Sequence, residues 1–354
     1  MKALIFADVH FHKWPMFQVY DPHFETNRMK HNFTCLMELK DYALAHGIKK
    51  IIHVGDLAHT RGTMYVAVNQ LIRNAVKEFK LAGLDLVLIA GNHDQANKSG
   101  TLTYIKSLEE YAQIVERFTI EELDGVKVAY IPFSESKQVI IDNFNTCKDM
   151  EVDYIFAHIP VAGSELVDGY RSSSNYEIIL EEMHLDYFVG VMMGHYHKSQ
   201  FLAPNCFYIG SFIQETLADA GQDKGSWEVD LSDHSSVFTK SLKFIKTHGP
   251  EFKQVTISDK KSLLKFFDEY DPDNFYKIIR CNSNLKIPVE ELSNVIMVSK
   301  TEDKVYKPRV SGLDRMEPEA VLKAYVKHEG GTEIALAYGL SVLERIKKEK
   351  ESES

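Results

Sequence analysis

The residues of this chain that could do chemistry fall in five short polar motifs, each of which follows an apolar run. In order they are Asp8-Val9-His10, Gly55-Asp56, Gly91-Asn92-His93-Asp94, His158, and Gly194-His195-Tyr196-His197. Asp8, Asp56 and Asn92 offer hard oxygen donors, and His10, His158, His195 and His197 offer imidazoles. That mixture suits Mn²⁺, Fe²⁺ or Zn²⁺, and the lack of thiolate argues against a structural zinc site. Seven ligands are too many for one tetrahedral ion but suit two ions that share a carboxylate. Two ions roughly 3.5–4 Å apart can hold a bridging hydroxide and clamp a phosphoryl group through in-line displacement. Taken singly the motifs are ambiguous, since Asp after Gly commonly does no more than cap a turn. Their ordered combination predicts a two-metal phosphoesterase.

The elements that must position these residues follow from periodicity. Short apolar runs at 2–7, 50–54, 84–90, 153–157 and 187–193 predict buried strands. Residues 26–46 and 63–82 carry apolar side chains at helical spacing, among them Phe33, Leu36 and Met37, then Val68, Leu71 and Ile72. Alternating strands and helices predict an α/β layered core, and ligands in such folds gather at the carboxyl ends of strands. Five strand ends therefore deliver metal ligands to one rim. Beyond about residue 245 the pattern changes. The turn signal Thr247-His248-Gly249-Pro250 leads into a small α+β unit, with a helix at 261–270 and strands at 275–281 and 295–299. Pro308 punctuates the stretch that follows, and two helices, 318–328 and 332–348, are separated by Gly330-Gly331. The expected division is 1–245, 246–312 and 313–354.

Composition bounds the function. A net charge of −10 argues against a generic nucleic-acid coat, whose affinity comes from neutralising phosphates. It leaves a phosphate site open, because bound metal ions invert the local field. The four cysteines are far apart and form no C-x-x-C pair, so reduced thiols are expected. The opening MKALIFADVH could pass for a weak signal peptide, but cleavage would remove Asp8 and His10. With no apolar stretch long enough for a membrane span, the expectation is a soluble, cytoplasmic protein.

These motifs resemble the calcineurin-like metallophosphoesterases over roughly residues 1–230. The resemblance implies a layered β-sandwich flanked by helices, with two divalent ions, foremost Mn²⁺. It implies that Asp8, His10 and His197 hold one ion, that Asn92, His158 and His195 hold the other, and that Asp56 bridges. It further implies that His93 protonates or stabilises the leaving oxygen and that Asp94 orients it. The form Gly55-Asp56-Leu57-Ala58-His59 is similar to the nuclease subunits of DNA double-strand-break repair complexes, the SbcD type and related phage exonuclease subunits. There the counterpart of His59 assists catalysis or positions the DNA end. Tyr208-Ile209-Gly210-Ser211 and Lys224-Gly225-Ser226-Trp227 agree with that family. Phe212 departs from it, standing where many relatives have Pro.

The resemblance implies a Mn²⁺-dependent exonuclease/endonuclease acting on duplex ends, hairpins or single strands. It also implies a small capping, DNA-binding domain over 246–312 and a homodimer that works with an SbcC-like, SMC-type ATPase docked on the C-terminal helices of 313–354. Tyr325, Leu336, Leu340, Leu343 and Ile346 would form the docking face, and Lys13, Arg61 and Lys98 would supply local contacts to DNA. The remaining histidines carry less. His53 reads as a packed core imidazole, His12, His23 and His31 as exposed loop residues, and His234 as lacking any spacing signal. The alternatives are a small-molecule (cyclic nucleotide) phosphodiesterase and a structural clamp subunit of the ATPase complex.

Overall fold

The computed structural model describes residues 1–59, 61–97, 102–167, 170–173, 176–232, 238–282, 284–299, 318–328 and 332–352. Lys98, His234, Pro308, Gly330 and Gly331, singled out above, lie outside the described residues.

Two six-stranded sheets pack face to face. One runs Leu242–Lys246, Gly225–Asp230, Lys2–Phe6, Lys50–Val54, Asp85–Ile89, Gln113–Val115, its last four strands mutually parallel. The other runs Gln200–Ala203, Cys206–Tyr208, Gly190–Gly194, Tyr154–His158, Val126–Ile131, Thr119–Leu123, parallel in its middle and antiparallel at its edges. Alternation along Lys2–Phe6 sends Ala3 and Ile5 into the layer between the sheets. Leu4 and Phe6 face outward, beneath α1 (Asn27–Ala45) and α2 (Val66–Leu81). The second sheet's outer face is covered by Ile140, Phe144 and Cys147 of α3 (Lys137–Asp149). Both faces of each sheet are thus buried, which is why the central strands read as largely apolar runs. Thr26 caps α1, its Oγ1 accepting the Met29 N–H at 3.1 Å.

The expected strand over 187–193 begins only at Gly190, because Leu185–Tyr187 closes a 3₁₀ turn. Asn205 holds that turn, its side-chain amide donating to the carbonyls of Leu185 and Phe188.

The strands Phe252–Ile257, Phe275–Arg280 and Val295–Ser299 form a small, wholly parallel sheet, with α4 (Lys260–Asp268) crossing between the first two. Phe252 and Phe275 pack on Phe17, and the Phe252 N–H donates to Gln214 Oε1 at 2.6 Å. Residues Met1–Ser299 accordingly form one compact unit, and Lys300–Ser354 a second. Within the second, α5 (Pro318–His328) and α6 (Glu333–Ser352) pair, Leu322 lying against Gly339. Among the described residues no helix is long and apolar enough to cross a membrane.

Candidate metal centre

Lys2–Phe6, Lys50–Val54 and Asp85–Ile89 are neighbours in one sheet, and Tyr154–His158 and Gly190–Gly194 in the other. Their carboxyl ends lie together, and the chain turns sharply on leaving them. Asp8, His10, Asp56 and His195 all have positive φ, at 52°, 49°, 60° and 106°. Backbone bonds hold these turns: Asp8 N–H donates to the Gly55 carbonyl at 3.0 Å and His10 N–H to that of Asp56 at 3.1 Å. Two glycines make the crowding possible. A Cβ on Gly55 would come within 2.1 Å of the His158 ring, and one on Gly91 within 2.2 Å of Asp56 Oδ1.

The donors gather in two overlapping groups. In the first, His10 Nε2 and His197 Nε2 face each other at 2.9 Å, with Asp8 Oδ1 4.0 Å from His10 Nε2. In the second, Asn92 Oδ1 lies 3.1 Å from His158 Nε2 and 2.9 Å from His195 Nδ1. Asp56 Oδ2 stands between them, 3.7 Å from His10 Nε2 and 3.4 Å from His158 Nε2. All seven expected ligands are brought together. Asp8 also accepts the His195 N–H, and His158 Nδ1 lies 2.8 Å from the Val54 carbonyl, which fixes the ring with Nε2 inward.

The electrostatics fit a pair of cations. Burial holds the imidazoles of His10, His195 and His197 below their ordinary value, His195 down to about 3. That shift favours the neutral ring, whose lone pair a metal ion can take. Burial pushes the Asp8 carboxyl up to about 7. Burial also pushes Asp56 up, but the attraction of His158 and His10 outweighs it and keeps this carboxyl well below its usual range. His158 shows the reverse balance: burial lowers it, Asp56 opposes, and it is raised to about 9. Asp56 and His158 thus balance each other's charge, and dications held by these carboxylates and imidazoles would take the place of the His158 proton.

Beside the ligands, His93 Nδ1 is hydrogen-bonded to the His59 carbonyl, and the His93 N–H donates to Asp56 Oδ1 at 2.8 Å. The His93 and His59 rings stack at 4.9 Å, and His59 Nδ1 lies 3.3 Å from His10 Nδ1. Asp94 does something other than the expected orienting of the His93 ring. Its carboxylate accepts the N–H groups of Gly91, Asp56, Leu57 and Ala58, tying the two loops that carry Asp56 and Asn92. The His59 carbonyl is what orients His93. Lys13, expected to contact DNA, pairs with Glu25 at 2.5 Å, whereas Arg61 is exposed. His53 is fully buried against Phe6, as expected of a core imidazole. His12 and His31 are half-buried among aromatic rings rather than exposed, because residues 12–17 fold back onto α1 and the small sheet.

Sequence reasoning missed a buried ionic network behind the first donor group. Lys224 Nζ donates to the His197 carbonyl at 2.6 Å and pairs with Asp219 at 2.9 Å. Arg28 pairs with Glu215 at 3.4 Å, and Asn32 donates to the Val9 carbonyl at 3.1 Å, midway between Asp8 and His10. The available signal was Arg28 and Asn32, one turn apart on the face of α1 that Met29, Leu36 and Leu39 mark as buried. Phe212 also finds its reason here. Its N–H donates to the Ala7 carbonyl at 3.0 Å and its ring packs on Phe6 at 5.3 Å, a bond that a proline could not make.

A family model for calcineurin-like phosphoesterases matches residues 1–199. Exonuclease subunit 1 of Enterobacteria phage T4 is 24% identical over 204 residues, which cover 56% of this chain and 58% of that protein. The chain therefore spans less than two thirds of that relative's length. Among solved structures, a dimetal phosphatase from Danio rerio is similar with a TM-score of 0.41 and 8% identity, covering 64% of this chain and 91% of its own. Nuclease MPE of Pseudomonas putida is similar with a TM-score of 0.30 and 18% identity, covering 65% and 84%.

Proposed function

The chain belongs to the calcineurin-like phosphoesterase family, and from that premise we propose that it is a DNA nuclease using two divalent ions, foremost Mn²⁺. The supporting observation is the station of Asp56 Oδ2 between two donor groups, 3.7 Å from one imidazole nitrogen and 3.4 Å from the other. Asp8, His10 and His197 would hold one ion, and Asn92, His158 and His195 the other, with Asp56 shared. Ions held there supply Lewis acidity and activate water toward phosphorus.

The chain's own groups do the rest. His93, whose Nδ1 is committed to the His59 carbonyl, turns Nε2 to the leaving oxygen and gives it a proton. His59, stacked on His93, hydrogen-bonds the ester and sets its approach. Asp94 keeps the Asp56 turn rigid so that the shared carboxylate does not swing. The assignment to DNA leans on the likeness to the phage exonuclease subunit and on His59 in its Gly-Asp-Leu-Ala-His setting. With it come the division at 1–245, 246–312 and 313–354, a homodimer, an SMC-like ATPase docked on α5 and α6, and a bacterial or phage-infected cytoplasm.

The test is cleavage. The protein with Mn²⁺ is expected to degrade linear duplex or open hairpin DNA, and Asp56→Asn to lose that activity while remaining folded. Inactivity on every DNA tested, alone and with an ATPase partner, beside turnover of cyclic nucleotides, sinks the nuclease in favour of a small-molecule phosphodiesterase.

A further inference from the structure

Trp14 has no part in the chemistry just described, yet its ring centroid lies 4.4 Å from that of His59. Arg28 approaches the same indole, its Cζ 5.8 Å from the ring centroid, within the range of a cation–π contact. Arg28 is itself immobilised. It is buried, donates to the carbonyls of Met16 and Glu215 at 3.2 and 2.8 Å, and lies over Phe252 and Phe275 at 5.2 and 5.1 Å. His12 adds an edge contact, 5.0 Å from Trp14 and 5.2 Å from His59. A continuous run of ring and guanidinium contacts thus leads from the small parallel sheet to His59.

His59 needs such support. Among the described residues, its ring is anchored by hydrogen bonding at one nitrogen, the Nδ1 that lies 3.3 Å from His10 Nδ1. With an ion on His10 Nε2, the His10 proton would sit on Nδ1 and be donated to His59 Nδ1, which would leave the His59 proton on Nε2. That single bond tolerates rotation of the ring about it. We propose that Trp14 is the positioning residue of His59, holding the imidazole against His93 with its Nε2–H toward the substrate. The proposal deepens the phosphodiesterase reading above and, for its kinetic test, rests on it. The tripeptide Lys13-Trp14-Pro15 is then a brace for the second histidine, and Arg28 is the buttress behind it.

The kinetic test is a double-mutant cycle on bis(p-nitrophenyl) phosphate with Mn²⁺, each variant first shown by circular dichroism to melt as a folded protein. Trp14→Leu is expected to lower kcat by about tenfold to a hundredfold with KM little changed, the scale of loss seen when a reacting group is misplaced by about 1 Å. Trp14→Phe should recover most of it. In a His59→Asn background Trp14→Leu should cost nothing more, because the two act as one unit. Equal losses with and without His59, or a rise in KM with kcat intact, overturn the proposal. Should the protein hydrolyse no diester, the phosphodiesterase reading fails, and nitrogen-15 spectra of the Zn²⁺-loaded protein decide about Trp14. One His59 tautomer in the parent and a mixture in Trp14→Leu support it, and identical spectra sink it.

Discussion

At the scale of single residues, the site is defined by side chains that are costly where they stand. Four of them occupy left-handed backbone, which costs about 1–3 kcal/mol each and persists only where neighbours over-determine it. The neighbours are the ligands themselves and the carbonyls of Gly55 and Asp56. Such strain, with buried carboxylates and imidazoles crowded into one place, marks a centre shaped for ions rather than for stability. A division of labour follows between the ligands and His93. His93→Ala removes no ligand, so the two-ion stoichiometry read by elemental analysis should be unchanged. Its kcat should nonetheless fall by about 10²–10⁴-fold, the usual weight of a general acid. Loss of an ion from the His93→Ala protein would show that His93 is a ligand instead. These residues were legible in the sequence because each motif ends an apolar run. Asp94 was legible as important, but its four backbone partners were not, since they depend on how two loops meet in space.

Among the elements, the strands that end at the site were legible because both faces of each sheet are covered and most of their residues are apolar. The edge strand Thr119–Leu123 was not: it carries Glu121 and Glu122 and reads as loop. The network behind the site was hidden for another reason. Arg28 and Glu215 are 187 positions apart, and only the packing of α1 across the sheet brings them together. His53 gives the strand Lys50–Val54 a measurable pH dependence. Burial, with the nearby His158, lowers it from 6.5 to about 3, and among the described residues neither ring nitrogen has a hydrogen-bond partner. Between those pH values the unfolded chain binds a proton that the folded chain refuses. The stability in question is therefore fully present above pH 6.5 and is lost as the pH falls through that window. Urea unfolding should show His53→Leu losing less stability than the parent from pH 7 to pH 5, by on the order of 2 kcal/mol. Parallel losses would mean that His53 is protonated within the fold.

For the whole molecule, the proposed nuclease reading raises the question of how a chain with 41 basic and 51 acidic residues would engage a polyanion. The expected basic contacts are thin: Lys13 is neutralised by Glu25, and the exposed Arg61 stands at the rim. Positive potential must then come chiefly from ions at the strand ends, where a dication outweighs any side chain. A protein that grips DNA by coating six to ten phosphates loses about 10³–10⁵ in affinity between 50 and 200 mM salt. This chain, alone and with Ca²⁺ in place of Mn²⁺ to suppress cleavage, should behave otherwise. Fluorescence anisotropy with a labelled duplex end should give weak binding, a log–log salt slope of about −1 to −2, and no binding after chelation. A slope near −6 that survives chelation would mean that the protein carries its own DNA-binding surface. A shallow, ion-dependent slope assigns the grip on DNA to the metal centre and leaves any stronger hold to a partner, consistent with an acidic subunit whose distinctive chemistry lies between Asp8 and His197.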